Sequence, residues 1–313
     1  MKRTDTSSRL NCLVITAALL TSGCQSLNEN LKEKLEFDEA SNDAKSVINQ
    51  NKLLPVANAD EALDKARKAW QEGKVDLAQT YYVKAYNFAP QNIKILEEMA
   101  DIYRRLNKLD LVEVCYRLIL EQKKTNLLIR ERYGLLLIQL NKLADAEQSL
   151  QQVIAADNQS WKSYNGLGII ADIGGKHAEA GKFFEQAYAL QPNNPELLNN
   201  YGFSLYMQGK LLEARELFLR ALKIQPDFKK ALYNFALVEA RHARYPEALA
   251  SFSKVLSPPE ANNDTGYIAM KNGDLEEAEF YLNQAQILSS HFYPKAHDNL
   301  DELNTKKQNM QLD

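Results

Sequence analysis

"GKLLEARELFLRALKIQPDF", residues 209–228, decides how the whole chain reads. Set beside "GKHAEAGKFFEQAYALQPNN" at 175–194 and "GKVDLAQTYYVKAYNFAPQN" at 73–92, it returns Gly-Lys, a small residue, an aromatic, Ala and Pro at the same offsets. The small-residue column runs through Ala78, Val112, Ala146, Ala180, Ala214 and Ala248 at a spacing of 34, and Ala278 follows 30 further on. A fixed period of this length marks stacked supersecondary units, none of which buries its apolar face alone.

The columns have physical roles. Gly134, Gly168, Gly202 and Ala100 fall where a first helix presses on a second, and Ala78, Ala146, Ala180 and Ala214 answer from that second helix. Small residues on both sides let two axes approach at the short end of the ~8–10 Å packing range. Tyr82, Tyr116, Leu150, Phe184, Phe218, Phe252 and Leu282 are then left to fill the space between units. Gly73, Gly175, Gly209 and Gly273 are placed to end first helices in a left-handed conformation, and Pro90, Pro192 and Pro226 to stop the second ones. Period and columns together resemble the tetratricopeptide repeat, a helix–turn–helix unit. The resemblance implies an all-α superhelical solenoid of about seven repeats over residues 59–290, closed by a capping helix and tail over 291–313. The second copy, 93–126, is worn, with Val112, Ile119 and Lys124 where Ala, Ala and Pro are usual. The seventh is four residues short, and its first helix is expected to be a brief one near "DTGYIAMKNG".

The amino-terminal end is of another kind. Lys2, Arg3 and Arg9 precede an apolar run from Cys12 to Leu20, and Thr21, Ser22 and Gly23 lead into Cys24. Basic start, apolar run and small residues make a secretory signal, and the run is too short for the ~20 residues of a membrane span. The Gly-Cys ending resembles the lipobox of bacterial lipoproteins, although Thr21 stands where Leu is usual. That resemblance implies a signal peptide over 1–23, lipidation (palmitate) of Cys24, and a tether over 24–58 that includes the charged "NENLKEKLEFDEASNDAK". Gln25 after the cysteine, rather than Asp, points to the periplasmic face of the outer membrane. Removal of 1–23, which carry a net +2, takes the formal charge from −3 to −5, a balance that does not favour nucleic acid. Cys115 is then the one free thiol of the mature chain, lies among Val112, Val114 and Tyr116, and is expected in the core.

Near-matches to catalytic patterns in the chain each lack a required residue. "GLGIIADIGGK" at 166–176 has Ile170 where a phosphate loop needs Gly, and Ala171 where a dinucleotide loop does. "NNDTG" at 262–266 lacks the glycine and closing Glu of a calcium loop. His177, His242, His291 and His297 do not approach zinc spacing. The expectation is a non-enzyme with no cofactor and no metal.

What such an array offers is a surface. In this family the second, fifth, ninth and twelfth residues of each repeat point into a concave groove. Carried onto this chain they are Lys162, Asn165, Ile169 and Asp172; Glu196, Asn199, Phe203 and Tyr206; Lys230, Tyr233, Leu237 and Ala240; and Asn263, Tyr267 and Met270. Asn165, Asn199, Phe203, Tyr206, Tyr233 and the neighbouring Arg241 are the candidate partner-binding residues, because amides bond to a peptide backbone and aromatic rings give rigid apolar contact. Arg215, on a second helix, is expected to be a neutral surface position.

The stretch from Leu197 to Leu249 and the ending "EANNDTGYIAMKNGDLEEAEFYLNQAQILSS" are similar to the TadD family of Flp (tight-adherence) pilus lipoproteins. That implies an accessory factor binding a secretin or other pilus-assembly components, anchored to the membrane through its lipid. A pilotin of the type IV pilus kind and a lipid-anchored regulator of peptidoglycan enzymes are the alternatives.

Overall fold

A left-handed residue in every repeat, and a side-chain cap in several, write the period into the backbone. In the computed structural model, which describes residues 54–310, Asn58, Asn126, Ser160 and Asn194 each accept a hydrogen bond from the backbone N–H three residues on and so open a first helix. Gly73, Asn107, Asn141, Gly175, Gly209, Ala243 and Gly273 then close those helices at φ between 56° and 94°. The following residue reaches back into the finished helix, as Lys142 does to Leu137 and Lys176 to Ala171, both at 2.8 Å. The glycine column is therefore correct but incomplete: asparagine tolerates the same conformation, and Ala243 adopts it without either aid. The expected signal peptide, Cys24 and the expected tether up to residue 53 lie outside the described residues.

The chain divides into two units, up to Ile95 and from Leu96 onward. In the first, α1 (Ala59–Gln71) and α2 (Val75–Phe88) form a hairpin whose buried faces carry Ala62, Ala66 and Ala69 on one side and Ala78, Tyr82 and Ala85 on the other. The boundary falls inside α3 (Ile93–Arg105). The second unit continues with α4 (Leu109–Gln122), α5 (Leu127–Gln139), α6 (Leu143–Ala156), α7 (Trp161–Ile173) and α8 (His177–Leu190). It is completed by α9 (Pro195–Met207), α10 (Leu211–Ile224), α11 (Lys229–Arg241), α12 (Tyr245–Phe252), α13 (Pro258–Asn272), α14 (Leu275–Leu288) and α15 (Pro294–Met310). The fold is an all-helical solenoid, with fifteen helices and no strand among the described residues. Within the second unit α5, α7, α9, α11 and α13 pack on one another in sequence, while each second helix packs on the first helices flanking it. The first helices thus form one row, and their exposed sides share a surface.

All seven members of the small-residue column are fully buried, from Ala78 to Ala278 with Val112 among them. The expected approach is seen at Gly134, where an added Cβ meets the Ala146 carbonyl at 3.4 Å, but a larger side chain one turn on, Leu150 at 2.7 Å, is nearer still. A Cβ added to Gly202 meets the Phe218 ring at 2.8 Å rather than Ala214, and one added to Gly168 meets Phe184 at 2.8 Å. Residue 218 lies one turn beyond 214 on the same helix face, so the alanine clears the backbone approach and the aromatic covers the glycine. The aromatic column consequently packs inside its own repeat as well as between repeats, where Phe184 stacks on Tyr201 at 5.8 Å.

The shortened repeat is also placed differently. α13, expected to be brief, runs for 15 residues, and it is α12 that has only 8. Ser257-Pro258-Pro259 explains this: the prolines have no N–H to continue a helix, whereas Pro258 suits a first turn and Ser257 and Glu260 form a reciprocal capping box. The four missing residues come from the end of the sixth repeat. At the far end α15 lays Ala296 and Leu303, both fully buried, and the half-buried Leu300 on the last repeat, as expected of a cap. Cys115 is buried as predicted, and burial pushes its thiol up to about 12. No helix among the described residues is long and apolar enough to cross a membrane.

Candidate partner-binding groove

α7, α9 and α11 line an open groove of about 660 Å³. Its walls are mostly apolar: Ile169 and Ile173 from α7, Phe203 and Met207 from α9, Tyr233 from α11, and Val255 and Leu256 from the turn that replaces the end of α12. Three of these stand well into solvent, with Ile173 57 %, Met207 48 % and Phe203 37 % exposed. The shortening of α12 therefore has a local result, since it brings the apolar pair Val255 and Leu256 to the groove.

Three of the predicted binding residues, Asn199, Phe203 and Tyr233, line this groove. Phe203 is free to be covered by a partner. Tyr233 is half-buried: its ring meets Phe252 edge-on at 5.1 Å, and its hydroxyl donates to Asp264 at 3.0 Å. Burial, then the Asp264 charge, push that phenol up to about 12. The other three lie beside the groove. Tyr206 is half-buried in the α9–α11 core and stacks on Phe203 at 6.1 Å, with burial raising its phenol pKa and the nearby Arg241 charge opposing the rise. Arg241 is exposed. Asn165, on α7, is buried and does not itself line the groove.

The asparagines have partners that sequence reasoning missed. Asn234 Nδ2 donates to Asn199 Oδ1 at 2.9 Å, Asn199 Nδ2 to Asn200 Oδ1 at 3.3 Å, and Asn200 Nδ2 to Asn165 Oδ1 at 3.1 Å. Further along, Asn299 donates to Asn263, Asn263 to Asp264, and Tyr233 to the same carboxylate. The fifth residue of one repeat thus meets the sixth of the next down the row of first helices. These amides, read from the sequence as free to bond a peptide, bond one another instead, within α9 and across repeats. The available signal was the recurrence of Asn at i and i+35, in Asn165 with Asn200 and Asn199 with Asn234.

Asp172, Asn200, Asn234, His177, Lys229 and Lys230 complete the polar lining. His177 Nδ1 lies 2.9 Å from Asp172 Oδ1, and the same oxygen accepts from Ser204 Oγ at 3.1 Å. Ser204 thus bonds the carboxylate and not the imidazole, unlike a nucleophile bonded to its base. Among the described residues no group of three His, Cys, Asp or Glu side chains is gathered to hold a metal. Arg215 is not neutral: its Nε binds the carboxylate of Glu239, a buried residue that Arg244 also contacts at 3.3 Å. Removal of one partner from a buried ion pair is costly, which disqualifies Arg215 as a silent control.

The sequence matches family models described as tetratricopeptide repeat over residues 134–195, 174–238 and 259–289. A tetratricopeptide repeat protein from Parabacteroides merdae is similar in structure, with 15 % identity, 78 % of this chain and 98 % of that chain covered, and a TM-score of 0.58. The C-terminal part of a repeat-containing protein from Cytophaga hutchinsonii is 19 % identical, with 76 % and 99 % covered and a TM-score of 0.52. A search of the curated proteins gives no match.

Proposed function

We propose that the chain, whose residues 134–238 and 259–289 match tetratricopeptide-repeat models, is a scaffold holding a segment of a protein partner in the groove along α7, α9 and α11. The observation that carries this reading is the apolar side of the groove left in solvent at Ile173, Phe203 and Met207. Such patches mark interaction sites when they are contiguous and rimmed by polar groups.

The finer proposal concerns place and process. The Gly23-Cys24 ending of the basic and apolar leader supports a lipoprotein anchored through Cys24 at the periplasmic face of the outer membrane. The similarity of residues 197–249 and 260–290 to the TadD family supports a role in Flp pilus assembly, with a secretin or another assembly component as partner.

Co-purification from cross-linked envelopes tests both. Phe203→Ala with Met207→Ala should lose the partner, since anchors at an interface centre contribute about 2 kcal/mol or more each. Leu212→Ala, which removes a side chain 67 % exposed on α10, should retain it. Full recovery by the folded groove variant rejects the groove. Cys24→Ser should leave the membrane fraction, and its persistence there, processed at the same site, rejects the anchor.

A further inference from the structure

We infer that the groove takes an acidic segment, one that seats an aliphatic or aromatic side chain against Phe203, Met207 and Leu256 and sets carboxylates at Lys229 and Lys230. The inference rests on the groove being the binding surface and adds the chemistry of what binds.

Charge carries it. Four charged or titratable side chains other than tyrosine line the groove: Asp172, His177, Lys229 and Lys230. Asp172 is engaged by His177 and Ser204. The amides of Asn199, Asn200 and Asn234 are engaged with one another. Lys229 and Lys230 are exposed and have no acidic partner among the described residues.

Their placement deepens the imbalance. Both lie in the first turn of α11, where the helix dipole is already positive and acidic residues are the favoured occupants. The neighbouring first helices follow that preference, α9 with Glu196 and α13 with Glu260. At the capping position of α11, Phe228 supplies no side-chain acceptor, so first-turn N–H groups left without a capping oxygen point the same way as the two ammonium groups. One end of the apolar groove therefore carries two ammonium groups without an acidic partner at a positive helix end, while the one carboxylate of the lining is held by His177 and Ser204. An acidic segment relieves this on binding, a neutral one leaves it, and a basic one worsens it.

Fluorescence anisotropy on the full chain tests the inference with three labelled decapeptides. Each interleaves Leu and Phe with polar residues: Asp and Glu in the first, Asn and Gln in the second, Lys in the third. The acidic peptide should bind about tenfold tighter than the amide one, as two partly exposed ion pairs allow, and the advantage should shrink as salt rises. Lys229→Glu with Lys230→Glu should abolish the preference for the acidic peptide. Phe203→Ala with Met207→Ala should weaken all three. Equal binding of the three peptides by wild type, or an acidic preference that survives the charge reversal, overturns the inference while leaving the groove in place. Undiminished binding by the Phe203 and Met207 variant instead removes the groove. A single-stranded oligothymidine bound as tightly as the acidic peptide shows a site for any polyanion and also overturns it. Absence of binding by every peptide to the folded protein rejects both readings.

Discussion

Ala243 is the residue under most evident backbone tension. It holds φ 58° at a position where four other repeats use glycine and two use asparagine. An L-residue with a plain Cβ in that conformation costs roughly 1–2 kcal/mol, and glycine returns part of the gain through its freer unfolded chain. Ala243→Gly is expected to stabilise the protein by about 0.5–1 kcal/mol, measured as a rise in denaturation midpoint. Asn107→Gly should do less, because asparagine accepts the left-handed region; equal gains would point away from conformation as the cause. Only part of this column was legible in the sequence. Glycine announces a left-handed residue, asparagine does so weakly, and alanine not at all. The binding residues divide in the same way: the position of Asn199 follows from its place in the repeat, but its bond to Asn234 depends on where the neighbouring repeat sets its side chains.

At the scale of the helix, two helical glycines are expected to behave oppositely. Gly202 in α9 has no room for a methyl group, with Phe218 at 2.8 Å and fully buried. Gly181 in α8 meets only Gln208 Nε2, at 3.6 Å. Gly202→Ala should destabilise by about 1–3 kcal/mol through overpacking, whereas Gly181→Ala should stabilise by about 0.5–1 kcal/mol through helix propensity. Thermal melts of the two variants beside wild type check the pair, and a shared sign refutes the packing assigned to α9 and α10. Helix positions were legible because column spacing repeats, but helix lengths were not. A four-residue gap constrains only the sum of α12, its turn and α13. The prolines at 258 and 259, read as a stop for one helix and a start for the next, resolve it.

For the molecule as a whole, stability in a repeat array is a sum of unit and neighbour terms. Truncation after Ser290 removes Leu300 and Leu303 from the last repeat, and its effect should decay with distance. Hydrogen exchange should show α13 and α14 losing protection first, with α5 to α8 little changed; a uniform loss across the second unit would mean that it unfolds as one body. The asparagine chain across repeats four to six has a different reach, because it has a direction. Both links between repeats run the same way, Asn234 donating to Asn199 and Asn200 to Asn165, each toward the lower-numbered repeat, and Asn199 donating to Asn200 joins them within the fifth. Rotating a single amide by half a turn sets NH₂ against NH₂ on one side and oxygen against oxygen on the other. The sense of the chain is therefore all-or-none: three repeats inherit one shared polarity, and an aspartate at position 199, able to accept but not to donate, would cut it into two pieces.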